Sequence, residues 1–268
     1  MSGAKQKDSP AQKRKLKLFK PLRAQPPSDL GGPWFVFGVV VVIFIVSQFI
    51  AALILEIILG LAHASSGSLD NSVTAQFFYV LLAEGLSALL AIWAVKKRGL
   101  KLPFIGLGRR PKLGDVGRAG VGFLVFYILL IIVSIIASAI FKGYNNGTQD
   151  LGFNNLHGPA SDVLAFIALV VLPPIGEETL MRGYLFSGLR ARLSFVQAGL
   201  ITSLLFGAAH LLTGAGPGLL WAAGVNTFIL SLVLVYLREK TGALYAGMMV
   251  HALNNAIAFA VMFHGINL

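Results

Sequence analysis

The chain has 268 residues, 56% of them hydrophobic and only 12% charged, with a formal net charge of +11. Soluble domains carry roughly a quarter charged residues, so this composition excludes an ordinary water-soluble globule and places the chain in a bilayer. The positive charge does not point to nucleic acid: eight Lys/Arg lie between Lys5 and Arg23 and eight more between Lys96 and Arg118, clusters that flank apolar segments.

Residues 1–33 combine Lys, Gln, Ser and Pro with little apolar content, which predicts a disordered basic cytoplasmic tail. Such a tail is drawn to anionic membrane lipids at about 1 kcal/mol per basic residue near the surface. Seven apolar segments follow: Trp34 to Ala62, Val73 to Val95, Val116 to Phe141, Val163 to Leu189, Phe195 to Leu212, Pro217 to Leu237 and Ala243 to His264. Each approaches or exceeds the roughly 20 residues that a helix needs to span hydrocarbon. The first is too long, and too far from the N-terminus, for a signal peptide, whose apolar region is about 7 to 15 residues.

With the N-terminus in the cytoplasm, alternating spans put nearly every basic residue inside, including Arg190, Arg192, Arg238 and Lys240, and leave Lys142 outside. The expected fold is all-α: a polytopic transmembrane helical bundle of about seven spans, eight if one apolar stretch is two short helices. The expected organisation is a tail at 1–33, N-terminal transmembrane helices at 34–142 and a C-terminal transmembrane core at 143–268. No internal repeat is visible, which disfavours a transporter built from duplicated halves. With no cysteine, neither disulfides nor thiolate metal ligands enter.

Ionisable groups inside spanning helices cost roughly 2.5 to 3.5 kcal/mol each and are functional candidates by default. Here they are Glu56, Glu84, Glu177, Glu178, Arg182, His210 and His251. The densest cluster, Glu177-Glu178-Thr179-Leu180-Met181-Arg182, follows Pro173-Pro174-Ile175-Gly176. On a helix Glu178 and Arg182 share a face in the favourable acid-first order, while Glu177 points about 100° away. Arg182 is therefore expected to neutralise and orient Glu178, leaving Glu177 for another partner or a water. The prolines remove backbone donors, and irregular backbone at membrane depth needs protein or a water-filled cavity to satisfy it.

Two further elements sit on separate spans. Phe206 and His210 share one helical face, as do His251 and Asn255. Counting about 1.5 Å per residue puts Glu177, His210 and His251 roughly 15 to 25 Å deep, in one layer. A carboxylate base, two imidazoles and an amide suffice for amide hydrolysis: Glu177 deprotonating a water, His210 holding it, His251 and Asn255 donating to the oxyanion. Two His and a Glu are also a zinc ligand set. Glu56 reads as an interfacial carboxylate; Glu84, mid-span, is read as readily as a partner of a basic group as in a functional role. Asn226, Thr227 and Ser231 are expected to make interhelical hydrogen bonds. No HExxH helix, no GxSG loop and no Asp on the spans supports a rival intramembrane protease type.

The ordered trio EExxxR, FxxxH and HxxxN, with the wording EETLMRGYLF and VHALNNAIAF, resembles the CPBP (Abi) family of intramembrane proteases, related to the type II CAAX prenyl endopeptidases. The likeness covers about Val163 to Ala260; Met181 stands where members commonly carry Phe. The resemblance implies a membrane endopeptidase of the CAAX-protease or bacteriocin-processing type with Glu177, Glu178, Arg182, His210, His251 and Asn255 as its catalytic set. It implies a glutamate-activated water with no cofactor, although the family has also been described as metal-dependent and zinc stays an alternative. Its expected place is the cell membrane and its expected partners are membrane lipids and a peptide or membrane-anchored protein substrate, with no nucleic acid. The alternative reading is a non-enzymatic membrane immunity or partner-binding protein of the same fold.

Overall fold

The computed structural model of the chain describes residues 30–63, 68–144, 149–212 and 218–265. The tail expected at 1–33 lies outside them except for 30–33. Seven main helices follow in chain order: α1 Pro33–Leu61, α2 Val73–Lys97, α3 Leu113–Ile140, α4 Pro159–Arg190, α5 Phe195–Ala209, α6 Trp221–Thr241 and α7 Tyr245–His264. No strand occurs among the described residues, and the fold is the all-α polytopic bundle that the hydropathy predicts.

Local signals set the ends of these helices. α1 opens on a proline, whose missing N–H would be orphaned there anyway. The Ser72 side chain accepts from Ala75 N at the start of α2. Asp115 caps α3 by accepting from Lys112 N at 2.9 Å, and Ser194 with Gln197 forms a capping box on α5. α6 and α7 end at Gly242 and Gly265, both in the left-handed conformation that glycine adopts without penalty.

Six of the seven helices are long and apolar enough to cross a membrane. The seventh, α5, has 15 residues, about 22 Å at 1.5 Å each against roughly 30 Å of hydrocarbon, so the expected seven or so apolar segments are six full-length helices and this shorter one. It stops short because the chain tightens into a 3₁₀ turn over His210–Leu212. That places His210 at the end of a helix that reaches into the bundle.

Burial separates the helices that face lipid from those at the centre. Ile128, Ile131, Ile132, Ile135 and Ile136 of α3 and Phe44, Ile45 and Phe49 of α1 are exposed on the protein surface, as side chains bound for lipid must be. In the apolar windows of α4 and α6 44% and 50% of residues are buried against 11% in α3, so α4 and α6 are the inner helices. Arg238, grouped in the sequence with flanking cations, is instead 4% exposed. Its Nη2 donates to Phe104 O at 2.8 Å and Ser187 Oγ at 3.0 Å, tying the basic loop at Leu102–Ile105 to α4.

α4 is irregular where its sequence requires it. Ile167–Val171 and Thr179–Leu185 are π-helical, with Leu172 N donating to Ile167 O and Phe186 N to Met181 O. Between them one α-helical stretch, Leu172–Glu178, carries both prolines and both glutamates. The carbonyl of Leu169 would accept from residue 173 in an α-helix or 174 in a π-helix; both are prolines and have no N–H to give. The π segments thus frame a point where the backbone of a central helix is left short of donors.

Two close approaches pack the core of the bundle. A Cβ at Gly176 would run into the Glu84 carboxylate and stand 2.8 Å from Glu84 O, so α2 lies directly on the α4 backbone there. A Cβ at Gly207 would stand 2.8 Å from Gly224 O, which brings α5 onto α6. Because the obstacle at Gly176 includes backbone, Gly176→Ala must push α2 from α4. A cost of about 1 to 3 kcal/mol is expected, read as a lower unfolding midpoint of the purified protein in detergent.

Candidate active site

The π segments turn Glu178 inward and Glu177 towards open space. Glu178 is 1% exposed, and its Oε1 accepts from Arg182 Nη1 at 2.8 Å and from His251 Nδ1 at 3.1 Å. The structure thus forms the Glu178–Arg182 pair that the four-residue spacing predicts. Gly247, one turn before His251 on α7, leaves room for the other oxygen: a Cβ there would stand 3.4 Å from Glu178 Oε2.

An ionised carboxylate only accepts, so Nδ1 of His251 carries a proton and its Nε2 turns to Glu177. Nε2 lies 3.7 Å from Glu177 Oε2, beyond direct hydrogen bonding and at the separation where a water bridges two groups. Glu177 Oε2 is itself buried without a hydrogen-bond partner, although the side chain as a whole is 26% exposed. His210 Nδ1 lies 2.8 Å from Phe206 O; a carbonyl only accepts, so Nδ1 carries a proton.

Phe206 gathers these groups. Arg182, fully buried, lies with its guanidinium 4.3 Å from the Phe206 ring centroid; the His210 ring is 4.8 Å away and the His251 ring meets it edge-on at 5.8 Å. The phenylalanine of FxxxH, weak as a sequence signal, is the surface on which the other two motifs meet.

Two cavities reach the centre, and Glu177 and His210 line both. One, of about 560 Å³, is walled by α1, α2, α4 and α5 with mostly apolar side chains such as Val40, Phe44 and Leu205. The other, of about 690 Å³, is more polar and carries His251, Asn254, Asn255, Asn226 and Thr227.

Asn255 differs from its expected single role at an oxyanion. Its Nδ2 donates at 3.0 Å to Leu169 O, the carbonyl that the prolines leave without a donor, while the residue also lines the polar cavity. It ties α7 to the irregular part of α4, and the two successive prolines are the signal from which the tie could have been read.

The expected interhelical bonds of α6 do not form as drawn. Thr227 Oγ1 donates to Ala223 O of its own helix, and Asn226 Oδ1 and Ser231 Oγ are buried without partners; Asn226 faces the polar cavity instead. Glu84 also departs from the sequence reading: it lines the apolar cavity with Glu177 and His210, and no Lys or Arg lines that cavity among the described residues. Glu56 is exposed on α1, as expected.

Membrane-length helices packed around carboxylates and imidazoles define a multi-pass membrane protein with a site of hydrolytic composition. Residues 159–257, from the start of α4 into α7, match the family model described as type II CAAX prenyl endopeptidase Rce1-like. All seven residues of the ordered trio fall inside the match. No curated protein and no solved structure matches the chain.

Removing the Asn255 amide leaves the Leu169 carbonyl without its donor. Asn255→Ala is expected to lose about 1 to 3 kcal/mol of stability, with Asn255→Asp no substitute because a carboxylate cannot donate. Thermal unfolding of the two variants beside the parent checks this.

Proposed function

We propose that the chain is an intramembrane endopeptidase of the cell membrane that hydrolyses peptide bonds with a water activated by Glu177. The observation that carries the reading is Glu177 Oε2: buried, without a hydrogen-bond partner, 3.7 Å from His251 Nε2 and at the meeting of two cavities. A buried carboxylate oxygen without a donor calls for an explanation, and a substrate water supplies one.

In this reading the water donates to Glu177 Oε2 and His251 Nε2, which directs a lone pair at the scissile carbonyl carbon. Glu177 takes a proton as the C–O bond forms, and returns it to the amine nitrogen as the C–N bond breaks. The second amide hydrogen of Asn255 supplies an N–H for the developing oxyanion. His210 holds the substrate from the shared wall. Glu178 and Arg182 touch no reacting atom; they fix the tautomer and orientation of His251.

Zinc is not part of the reading. Among the described residues no three His, Asp or Glu side chains come together as a metal-binding group, so no step is assigned to a metal. The substrate class is a membrane-anchored protein or peptide precursor, of the kind that CAAX proteases and bacteriocin-processing enzymes cleave. Its apolar portion fits the 560 Å³ cavity and its peptide the polar one.

The test uses purified protein with a fluorogenic farnesylated CAAX peptide and, in parallel, a leader-bearing peptide precursor. Glu177→Gln is expected to lower kcat about 10² to 10⁴-fold in a protein that unfolds at the parent's temperature. Full retained hydrolysis contradicts the reading. Prolonged treatment with a strong zinc chelator is expected to leave the parent's rate unchanged, with well under one equivalent of zinc in the purified protein.

A further inference from the structure

Glu84 lies outside the family-matched residues, yet the bundle brings it to the centre of the site. It stands midway along α2, where a carboxylate is costly to bury in lipid. The sequence has given up a side chain to admit it: any Cβ at Gly176 would overlap the Glu84 carboxylate, and Gly176 immediately precedes Glu177. Glu84 and Glu177 open on the same cavity.

Among the described residues no Lys or Arg lines that cavity, and His251 meets Glu177 from the polar side at 3.7 Å. From α1 the cavity receives Val40, Val41, Phe44, Ile45 and Gln48, none of them ionisable. From α5 and its 3₁₀ turn it receives His210, and Arg182 of α4 is spent on Glu178 and the Phe206 ring. On α2 itself the nearest titratable side chain is Tyr79, whose hydroxyl donates to Gln48 Oε1 at 2.6 Å. Two carboxylates that share a low-dielectric cavity cannot both ionise cheaply; sharing one proton resolves the conflict.

We propose that Glu84 is the proton-sharing partner of Glu177. The inference rests on the reading of Glu177 as the base that activates water. Before reaction the pair holds one proton, placed on Glu84, so that Glu177 is an ionised base. As the water oxygen bonds to the peptide carbon, its proton passes to Glu177; with that acceptor neutralised, the hydrogen bond from Glu84 slackens and the Glu84 proton tightens onto its own oxygen. When the C–N bond breaks, Glu177 gives its proton to the leaving nitrogen and the pair returns to its starting state with one proton. Glu84 touches neither water nor peptide and acts through Glu177, as a positioning residue.

The experiment measures kcat, KM and rates in H₂O/D₂O mixtures for the full chain in detergent, on the farnesylated CAAX peptide. The parent is expected to show a bowed dependence of rate on deuterium fraction, from two protons in motion. Glu84→Gln is expected to lower kcat about 10 to 100-fold with KM within about twofold, and to make that dependence a straight line. Glu84→Asp, which keeps the carboxyl but withdraws it from Glu177, is expected to lower kcat about tenfold and serves if the glutamine variant does not fold. An unchanged kcat in either variant, or a slowed Glu84→Gln enzyme whose dependence stays bowed, overturns the proposal while leaving Glu177 as the base. Activity surviving in Glu177→Gln overturns the underlying reading itself.

Discussion

A carboxylate buried in a membrane protein must find donors inside the protein, and Glu178 finds two through a single oxygen. Arg182 on its own helix and His251 on α7 both donate to Oε1. Removing Arg182 or Glu178 leaves the other's buried charge without its counter-ion, a loss of about 3 to 5 kcal/mol for pairs of this kind. The same two bonds fix which His251 nitrogen carries a proton and hold the other towards Glu177. The adjacent glutamates therefore divide their work by burial: Glu178 is spent on the protein, and Glu177 is left facing space.

That division depends on the irregularity of α4. A regular helix through residues 167–185 would satisfy its own backbone, but Pro173 and Pro174 deprive Leu169 of a donor and the chain bends through two π segments around them. Asn255 supplies the missing donor from α7, the helix that also carries His251. The backbone defect and the polar site are thus stabilised by the same contact between α4 and α7. Phe206 completes the arrangement from α5, holding the Arg182 guanidinium over its ring and touching both imidazoles.

Much of this was legible in the sequence because lipid makes polarity conspicuous. The seven apolar segments are recovered as helices, and the Glu178–Arg182 pair follows from helical spacing. The meeting of Glu177, His210 and His251 follows from their common depth. What was not legible depends on tertiary geometry. The incomplete length of α5 reflects a 3₁₀ turn that hydropathy does not register. The place of Glu84 depends on how closely α2 approaches Gly176, and hydropathy alone supplied a carboxylate without its neighbour. Asn226 turned to a cavity where spacing suggested a neighbouring helix. Arg238, counted as a flanking cation, was drawn inside by the Phe104 carbonyl and Ser187.

In the proposed mechanism Glu177 is a base towards water rather than a nucleophile towards the peptide. A single turnover in H₂¹⁸O, with enzyme in excess over peptide, separates the two most directly. Direct attack by water predicts one ¹⁸O in the new carboxyl group of the first product formed and none in the protein. An unlabelled first product, with ¹⁸O later recovered in the peptide containing Glu177, would mean that the glutamate itself had bonded to the substrate and would contradict the account.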